Sequence, residues 1–297
     1  MTHPAPTDSR LAVRPAAGAI DDVIAALAGR RLAVLTGAGL STDSGIPDYR
    51  GPDSPPRTPM TYQQFVADDA FRRHYWARNH VGWRHVHRTL PNAGHHALAE
   101  LEDRGVVVGV ITQNVDLLHE AAGSRNVIDL HGRYDRVVCL RCGTVVSRTE
   151  LAVRLEALNP GFVESIGAVG DIEIAPDADA VISATAHFQV ASCWAPDPDG
   201  GPGPCGGILK PEIVYFGENV PKERVARAFA LVDSADALLV AGSSLTVMSG
   251  LRFVRHAAKA QVPVVIVNRG ATRGDDLATL TLDAGTSETL AALADRL

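Results

Sequence analysis

A short apolar run ending in a glycine-bearing turn sets the strongest limit on the fold. Arg31-Leu32-Ala33-Val34-Leu35 reads as a buried strand and leads into Thr36-Gly37-Ala38-Gly39-Leu40-Ser41-Thr42-Asp43-Ser44-Gly45-Ile46-Pro47-Asp48-Tyr49-Arg50. A strand followed by a glycine turn is how a doubly wound α/β fold offers backbone N–H groups to a pyrophosphate. The spacing is not G-x-G-x-x-G, so an unliganded βα turn explains Gly37, Gly39 and Gly45 about as well. The next segment discriminates better. A hydride-transfer domain places a strand ending in Asp or Glu about 20 residues further on. Here the chain runs through Gly51-Pro52-Asp53-Ser54-Pro55-Pro56-Arg57-Thr58-Pro59. Its prolines lack the ladder donor that a central strand needs. A loop stands where an ordinary dinucleotide unit has its second strand, which tells against a dehydrogenase.

The cysteines are Cys139, Cys142, Cys193 and Cys205. The N-terminus has no charged segment followed by an apolar one, so no secretion signal is read and a reducing, cytoplasmic setting is expected. That disfavours two disulfides. Cys139-Leu140-Arg141-Cys142-Gly143 is a knuckle, and Cys205-Gly206-Gly207 closes a second half with Cys193. Four thiolates and no spare suit one structural Zn²⁺ with no open position. Unrelated buried thiols, or a redox C-x-x-C, are the competing readings. Ala195 to Pro204, rich in Pro, Gly and Asp, reads as a flexible excursion between Cys193 and Cys205.

Elsewhere the pattern is α/β. Ile20 to Leu27 has helical spacing, Thr61 to Asn79 reads as one or two helices, and Ala93 to Arg104 as a helix stopped by Gly105. Phe65, Phe71, Tyr75 and Trp76 form an aromatic stripe read as a small packed core. Val106 to Thr112, Ala237 to Ala241 and Val262 to Asn268 are continuous apolar runs, as parallel strands covered on both faces should be. Leu251 to Ala260 and Ser287 to Leu297 read as helices. Between His131 and Lys210 periodicity fades and the chain reads as a metal-held insert, within which Gly167 to Ala184 receives no role.

The expected architecture is an open, doubly wound parallel sheet of Rossmann type with a smaller zinc-binding and helical domain. Residues 20–50, 93–130 and 211–297 form the nucleotide-binding, Rossmann-like part in this reading; 51–92 supply the helical module and 131–210 the zinc module. A chain of 297 residues suffices for this, and 46% hydrophobic with 21% charged residues is ordinary for a soluble enzyme. A net charge of −6 argues against a nucleic-acid partner, and no apolar run approaches the ~20 residues of a membrane span.

Ligands of open α/β sheets sit at the carboxyl ends of the strands. Thr36-Gly37, Thr112-Gln113-Asn114, Gly242-Ser243-Ser244 and Asn268-Arg269-Gly270 fall at such ends. Asn114 and Asp116 can grip a ribose or an amide, although both types also serve as plain helix caps. His131 lies between the nucleotide crevice and the zinc module, where a cleft is expected. A lone histidine is usually structural, and it is this position that singles His131 out.

Taken together, Gly37-Ala38-Gly39-Leu40-Ser41, Gly45-Ile46-Pro47-Asp48-Tyr49-Arg50, Thr112-Gln113-Asn114-Val115-Asp116, Leu130-His131-Gly132, the four cysteines, Lys210-Pro211-Glu212-Ile213-Val214-Tyr215-Phe216-Gly217-Glu218 and Gly242-Ser243-Ser244-Leu245 resemble the sirtuins in order and spacing. Tyr75 to Asn79 and Thr272 to Leu277 resemble the class II branch. The resemblance implies an NAD-consuming protein lysine deacylase. In that family the acyl oxygen attacks the nicotinamide ribose, nicotinamide leaves, and hydrolysis of an alkylimidate yields lysine and O-acyl-ADP-ribose. His131 matches the general base, an imidazole able to accept a proton at cellular pH, and Asn114 stands beside it among the catalytic positions.

The same resemblance implies NAD contacts from Gly37, Ala38, Gly39, Thr42, Asp48, Tyr49 and Arg50 in the cofactor loop. It adds Gln113, Asn114, Val115 and Asp116 on the nicotinamide side, and Gly242, Ser243, Ser244, Asn268, Arg269, Gly270 and Thr286 toward adenosine. Val214, Phe216, Gly217 and Glu218, facing the Ser244 to Met248 loop, match the walls between which an acyl-lysine peptide lies as an added strand, which implies low sequence preference. Tyr49 and Gly51 depart from the Phe and Ser of many sirtuins, and Cys193 and Cys205 are more widely spaced. Tyr62 is followed by Phe65 where desuccinylating members carry Arg, so acetyl or longer neutral acyl groups are expected. Two other readings compete: a mono-ADP-ribosyltransferase using the same NAD site, and a zinc-ribbon interaction module on an inactive nucleotide domain. The acidic balance and the presence of His131 argue against the second.

Overall fold

A computed structural model describes residues 16–17, 19–48, 59–167 and 185–297. Tyr49, Arg50, most of the proline-rich loop and nearly all of the 167–184 stretch lie outside the described residues. In chain order the elements are β1 (Ala16–Ala17), α1 (Ile20–Leu27), β2 (Leu32–Thr36), α2 (Tyr62–Ala67), α3 (Asp69–Val86), α4 (Ala93–Asp103), β3 (Val107–Thr112), α5 (Leu118–Ala122), β4 (Val127–Asp129), β5 (Gly132–Cys139), β6 (Val145–Ser147), α6 (Arg148–Leu158), α7 (Phe162–Gly167), β7 (Leu209–Ile213), α8 (Lys222–Asp233), β8 (Ala237–Ala241), α9 (Met248–Lys259), β9 (Val264–Val267), β10 (Leu280–Leu282) and α10 (Thr286–Arg296).

Seven parallel strands form one sheet in the order β1-β10-β9-β8-β2-β3-β4. Every residue of β2, β8 and β9 is buried, as their unbroken apolar sequences require. Alternate side chains serve opposite faces. Leu32, Val34, Leu239 and Val265 pack with α1, α4 and α10, through residues such as Leu27, Leu98 and Leu290. Ala33, Leu35, Leu238 and Ile266 pack with α8 and α9, through Leu231, Phe253 and Val254. Helix α4 leads from β2 to β3 on the first face, whereas α9 leads from β8 to β9 on the second. Neighbouring strands β2 and β8 therefore send their following segments in opposite directions. This switch point opens a crevice at their carboxyl ends.

The smaller layer is an antiparallel sheet, β6-β5-β7, with α2, α3 and α6. The 61–79 segment forms two helices because Asp68 is extended between them while its carboxylate accepts from Ala70 N and Phe71 N, capping α3. Phe65, Tyr75 and Trp76 pack with Tyr215, Leu151 and three of the cysteines. Phe71 is 42% exposed and does not join this core as the stripe had suggested, since it occupies the outer face of the first turn of α3. The small sheet also crosses the expected boundary at 210/211. Strand β7 pairs with β5, and its Pro211 is tolerated because β7 is an edge strand. No described helix is long and apolar enough to cross a membrane.

Candidate functional site

The turns after β2 and β8 interlock. Gly37 N donates to Ala241 O (3.2 Å) and Gly39 N to Gly242 O (2.9 Å). A β-carbon on Gly37 would lie 2.8 Å from Gly242 O, and one on Gly39 would lie 2.9 Å from Gly242 Cα. Gly242 itself has φ +67, a left-handed conformation that favours glycine. These glycines are needed first for turn-on-turn packing, which spacing alone does not reveal. The hydroxyls of Thr42 (3.1 Å) and Thr286 (3.2 Å) both donate to Gly39 O. Both threonines thus support the turn from behind and do not line the crevice.

The loop after β3 is stitched to the same turn. Asn114 Nδ2 donates to Gly37 O (3.1 Å) and to Ser41 Oγ (3.0 Å), and Ser41 donates to Asp116 Oδ2 (2.7 Å). Asp116 also accepts from Leu118 N (3.1 Å). Burial pushes its carboxyl above the usual range, while these two donors favour the carboxylate and oppose the shift. Gln113 lies alongside. Its Oε1 accepts from the Ser243 hydroxyl (2.6 Å), and its backbone oxygen accepts from His131 Nδ1 (3.0 Å).

His131 leaves the end of β4 half-buried at the crevice. Because Nδ1–H donates to a carbonyl, the neutral ring keeps its lone pair on Nε2. Nε2 lies 2.7 Å from Ser249 Oγ. Burial pushes the imidazole down to about 4, and the positive charges of Arg224 and Arg252 act in the same direction, against the Gln113 carbonyl. The ring is therefore uncharged at neutral pH.

A cavity of about 360 Å³ joins these elements. Its lining includes Gly37, Ala38, Gly39, Asp48, Gln113, Asn114, Val115, Asp116, His131, Gly242, Ser243, Ser244, Asn268 and Arg269, with Val214, Phe216, Gly217 and Glu218 on one wall. Thr42, Gly270 and Thr286 are outside the lining, and Tyr49 and Arg50 fall outside the described residues. The Asn268 side chain donates to Arg269 O (2.9 Å) and Gly270 O (3.0 Å), so Gly270 shapes the rim through its carbonyl. Ser41, Ile46, Met60, Ser249 and Arg252 also line the cavity and were not expected. Ser249 and Arg252 stand three apart at the start of α9, a same-face polar pair that marks a lining helix.

The wall segment is braced from behind. Buried Lys210 donates to Ile213 O (2.6 Å) and meets the Glu218 carboxylate at 3.1 Å. Glu218 also accepts from Tyr215 N (2.9 Å), and Phe216 O accepts from Tyr62 N (2.9 Å). The Glu218 side chain is thus engaged in holding the wall's turn.

Strand β5 runs from Gly132 at the crevice to Cys139, roughly 20 Å away at about 3.3 Å per residue. There the four Sγ atoms lie within 4.8 Å of one another, and Cys139–Cys205 and Cys142–Cys193 are each separated by 3.7 Å. A tetrahedral site with Zn–S near 2.3 Å requires S–S spacings of about 3.8 Å, so the donor set fits one Zn²⁺ and leaves no position open. A β-carbon at residue 207 would come within 2.6 Å of Cys139 Sγ, which makes Gly207 part of the knuckle. The 195–204 excursion is pinned, contrary to the flexibility expected of it. Cys205 N donates to Ala195 O (2.7 Å), and Arg141 reaches Cys205 O, Asp197 and Asp199.

Comparison with known proteins gives one direction. The family model described as "Sir2 family" matches residues 37–249. The chain is 66% identical over 276 residues to "NAD-dependent protein deacetylase 1" of Mycobacterium avium, covering 93% of this chain and 95% of that protein. It is 54% identical over 268 residues to the protein of the same name from Streptomyces coelicolor, covering 89% and 85% respectively. Among solved structures, a complex described as "Sir2-p53 peptide-NAD+" superposes with TM-score 0.71 at 29% identity, over 94% of this chain and 98% of that one. A "Sir2 homolog-NAD complex" gives TM-score 0.70 at 29% identity, over 95% and 94%.

Proposed function

The chain belongs to the Sir2 family, and from that premise we propose that it is an NAD-dependent protein lysine deacylase acting in the crevice at the ends of β2 and β8. The observation that carries the reading is His131, a neutral imidazole that lines the cavity, with its Nδ1–H held by Gln113 O and its lone pair therefore on Nε2. When bound, NAD supplies a ribosyl centre that gives up nicotinamide and ends carrying the acyl group. His131 Nε2 is the general base, the atom on which the proton lost from a ribose hydroxyl is finally held. Asn114, Asp116 and Gln113 hold the nicotinamide half. The turns 37–39, 242–244 and 268–270, with Asp48, Tyr49 and Arg50, hold the rest, and Thr42 and Thr286 support them. The part formed by 20–50, 93–130 and 211–297 is the NAD-binding unit; 51–92 and 131–210 form the small domain, with β7 completing its sheet.

Acyl-lysine peptide enters as an added strand between Val214–Glu218 and the loop from Ser244 to Met248. Main-chain bonding of this kind favours affinity over sequence preference. Phe65 is fully buried and stacks on Tyr215 (5.2 Å), so its position offers an acidic acyl group no cation, which supports acetyl and longer neutral chains as the acyl groups removed. Cys139, Cys142, Cys193 and Cys205 hold one structural Zn²⁺, far from the reacting atoms. Thiolate ligation suits a reducing cytoplasm. The segments 75–79 and 272–277 support a place in the class II branch.

A mono-ADP-ribosyltransferase would use the same NAD site, but the relatives' name as deacetylases supports deacylation. Mass spectrometry after incubation with acetyl-lysine peptide and NAD tests this. Free lysine peptide with O-acetyl-ADP-ribose is expected; ADP-ribosylated protein without deacylation overturns the reading.

A further inference from the structure

One polar contact in the crevice is made to the base itself. Ser249 is the second residue of α9, and its hydroxyl meets His131 Nε2 at 2.7 Å. With Nδ1–H committed to Gln113 O, Nε2 can only accept, so Ser249 is the donor. A hydroxyl bonded to an imidazole that a third group orients is the arrangement by which side-chain hydroxyls exchange protons with a base.

The contact is built into the packing. A β-carbon at residue 250 would lie 2.8 Å from Gln113 Nε2 and 3.0 Å from its Cδ, so Gly250 lets the first turn of α9 lie flush on Gln113. The Gln113 side chain is anchored by Ser243, and its carbonyl orients the imidazole. Ser249 and Gly250 therefore dock α9 on the base and on the residue that orients it. Both Ser249 and His131 line the cavity, and Ser249 Oγ occupies the direction of the Nε2 lone pair. A sugar hydroxyl arriving there meets Oγ first.

We propose that Ser249 relays the proton between the ribose hydroxyl and His131, an inference that rests on His131 being the base. The ribose O–H bond breaks as its proton passes to Ser249 Oγ. The proton already on Oγ passes to Nε2, the electron pair left on the ribose oxygen forms the new bond to the acyl carbon, and the π pair of that carbon's bond to the lysine nitrogen moves onto the nitrogen. Ser249 ends as a hydroxyl and His131 as an imidazolium.

The test combines the ligand-free protein with two partial reactions. In ¹⁵N spectra of histidine-labelled protein without NAD, Ser249→Ala moves the His131 Nε2 resonance toward that of a free imidazole nitrogen, and Ser249→Thr restores it. With NAD and acyl peptide, Ser249→Ala retains nicotinamide exchange, which precedes the base's step, while deacylation falls on the order of 10²-fold. Ser249→Thr recovers most of that loss. Exchange near the parent rate also shows that the variant is folded. An unchanged Nε2 resonance, deacylation at the parent rate, or equal loss of exchange and deacylation in Ser249→Ala overturns the relay. Deacylation surviving in His131→Ala instead faults the base on which the relay depends.

Discussion

Replacing His95 with glutamine should make the protein more resistant to acid. His95 sits in α4 with no exposed surface, and its ring centroid is 5.0 Å from that of fully buried His119, whose Nε2 bonds Thr36 Oγ1 at the end of β2 (2.9 Å). Burial, assisted by the charge of His96, pushes His95 down to about 4. The sign follows from the two states. Above pH 6.5 the ring is neutral whether the chain is folded or unfolded, so it contributes nothing. Below that, the unfolded chain binds a proton that the folded chain refuses until about pH 4, and stability is lost throughout the window. At pH 4.5 two units of difference, at about 1.36 kcal/mol each, amount to roughly 3 kcal/mol. Glutamine keeps an acceptor for Asn92 N, which bonds His95 Nδ1 at 3.3 Å, but does not titrate. Urea unfolding followed by tryptophan fluorescence at pH 7.5 and 4.5 measures the effect. The stability difference between variant and parent should move by about 3 kcal/mol in the variant's favour on acidification. A difference that is the same at both pH values refutes the argument.

Other outcomes follow from the same geometry. Since His131 is held near 4 and must be neutral to accept a proton, kcat/KM for deacylation should stay level as pH falls from 8 to 6; a drop centred near 6.5 contradicts that environment. Chelation or Cys139→Ser should lower the melting temperature sharply, because the ion's binding energy is folding energy in a small domain; an unchanged melting temperature would remove the metal from the account. Gly242→Ala forces a side chain into a left-handed φ and against the turn of Gly39 and Leu40, so calorimetry should show a loss of about 2 kcal/mol or more together with weakened NAD binding. Lys210→Met releases Glu218 and the wall, so KM for peptide should rise more than KM for NAD in steady-state assays.

The strands legible in the sequence are those buried on both faces, and the legible helices are those with a clear apolar face. The cores of β2, β3, β8 and β9 are continuous apolar runs for that reason. Strands β4, β6 and β10 have three residues each, too few to establish a period. Helix α8 buries only Ala228, Leu231 and Val232 among its charged residues, a stripe too narrow to mark a helix in the sequence. Strand β7 carries Lys210 and Pro211, types that do not announce a strand. In the site, the histidine, the cysteines and most crevice-lining positions were named from motif order. The packing of Gly37 and Gly39 on Gly242 and the Ser249 contact join residues distant in the chain, so no local pattern records them, and the Lys210–Glu218 brace closes an irregular turn that has no repeating period.

The most direct test of the account is O-acyl-ADP-ribose formation by the parent protein and by His131→Ala, with NAD affinity measured on both. The account predicts product from the parent, none above background from the variant, and NAD bound by both. Product formed at comparable rates by the two proteins would contradict it.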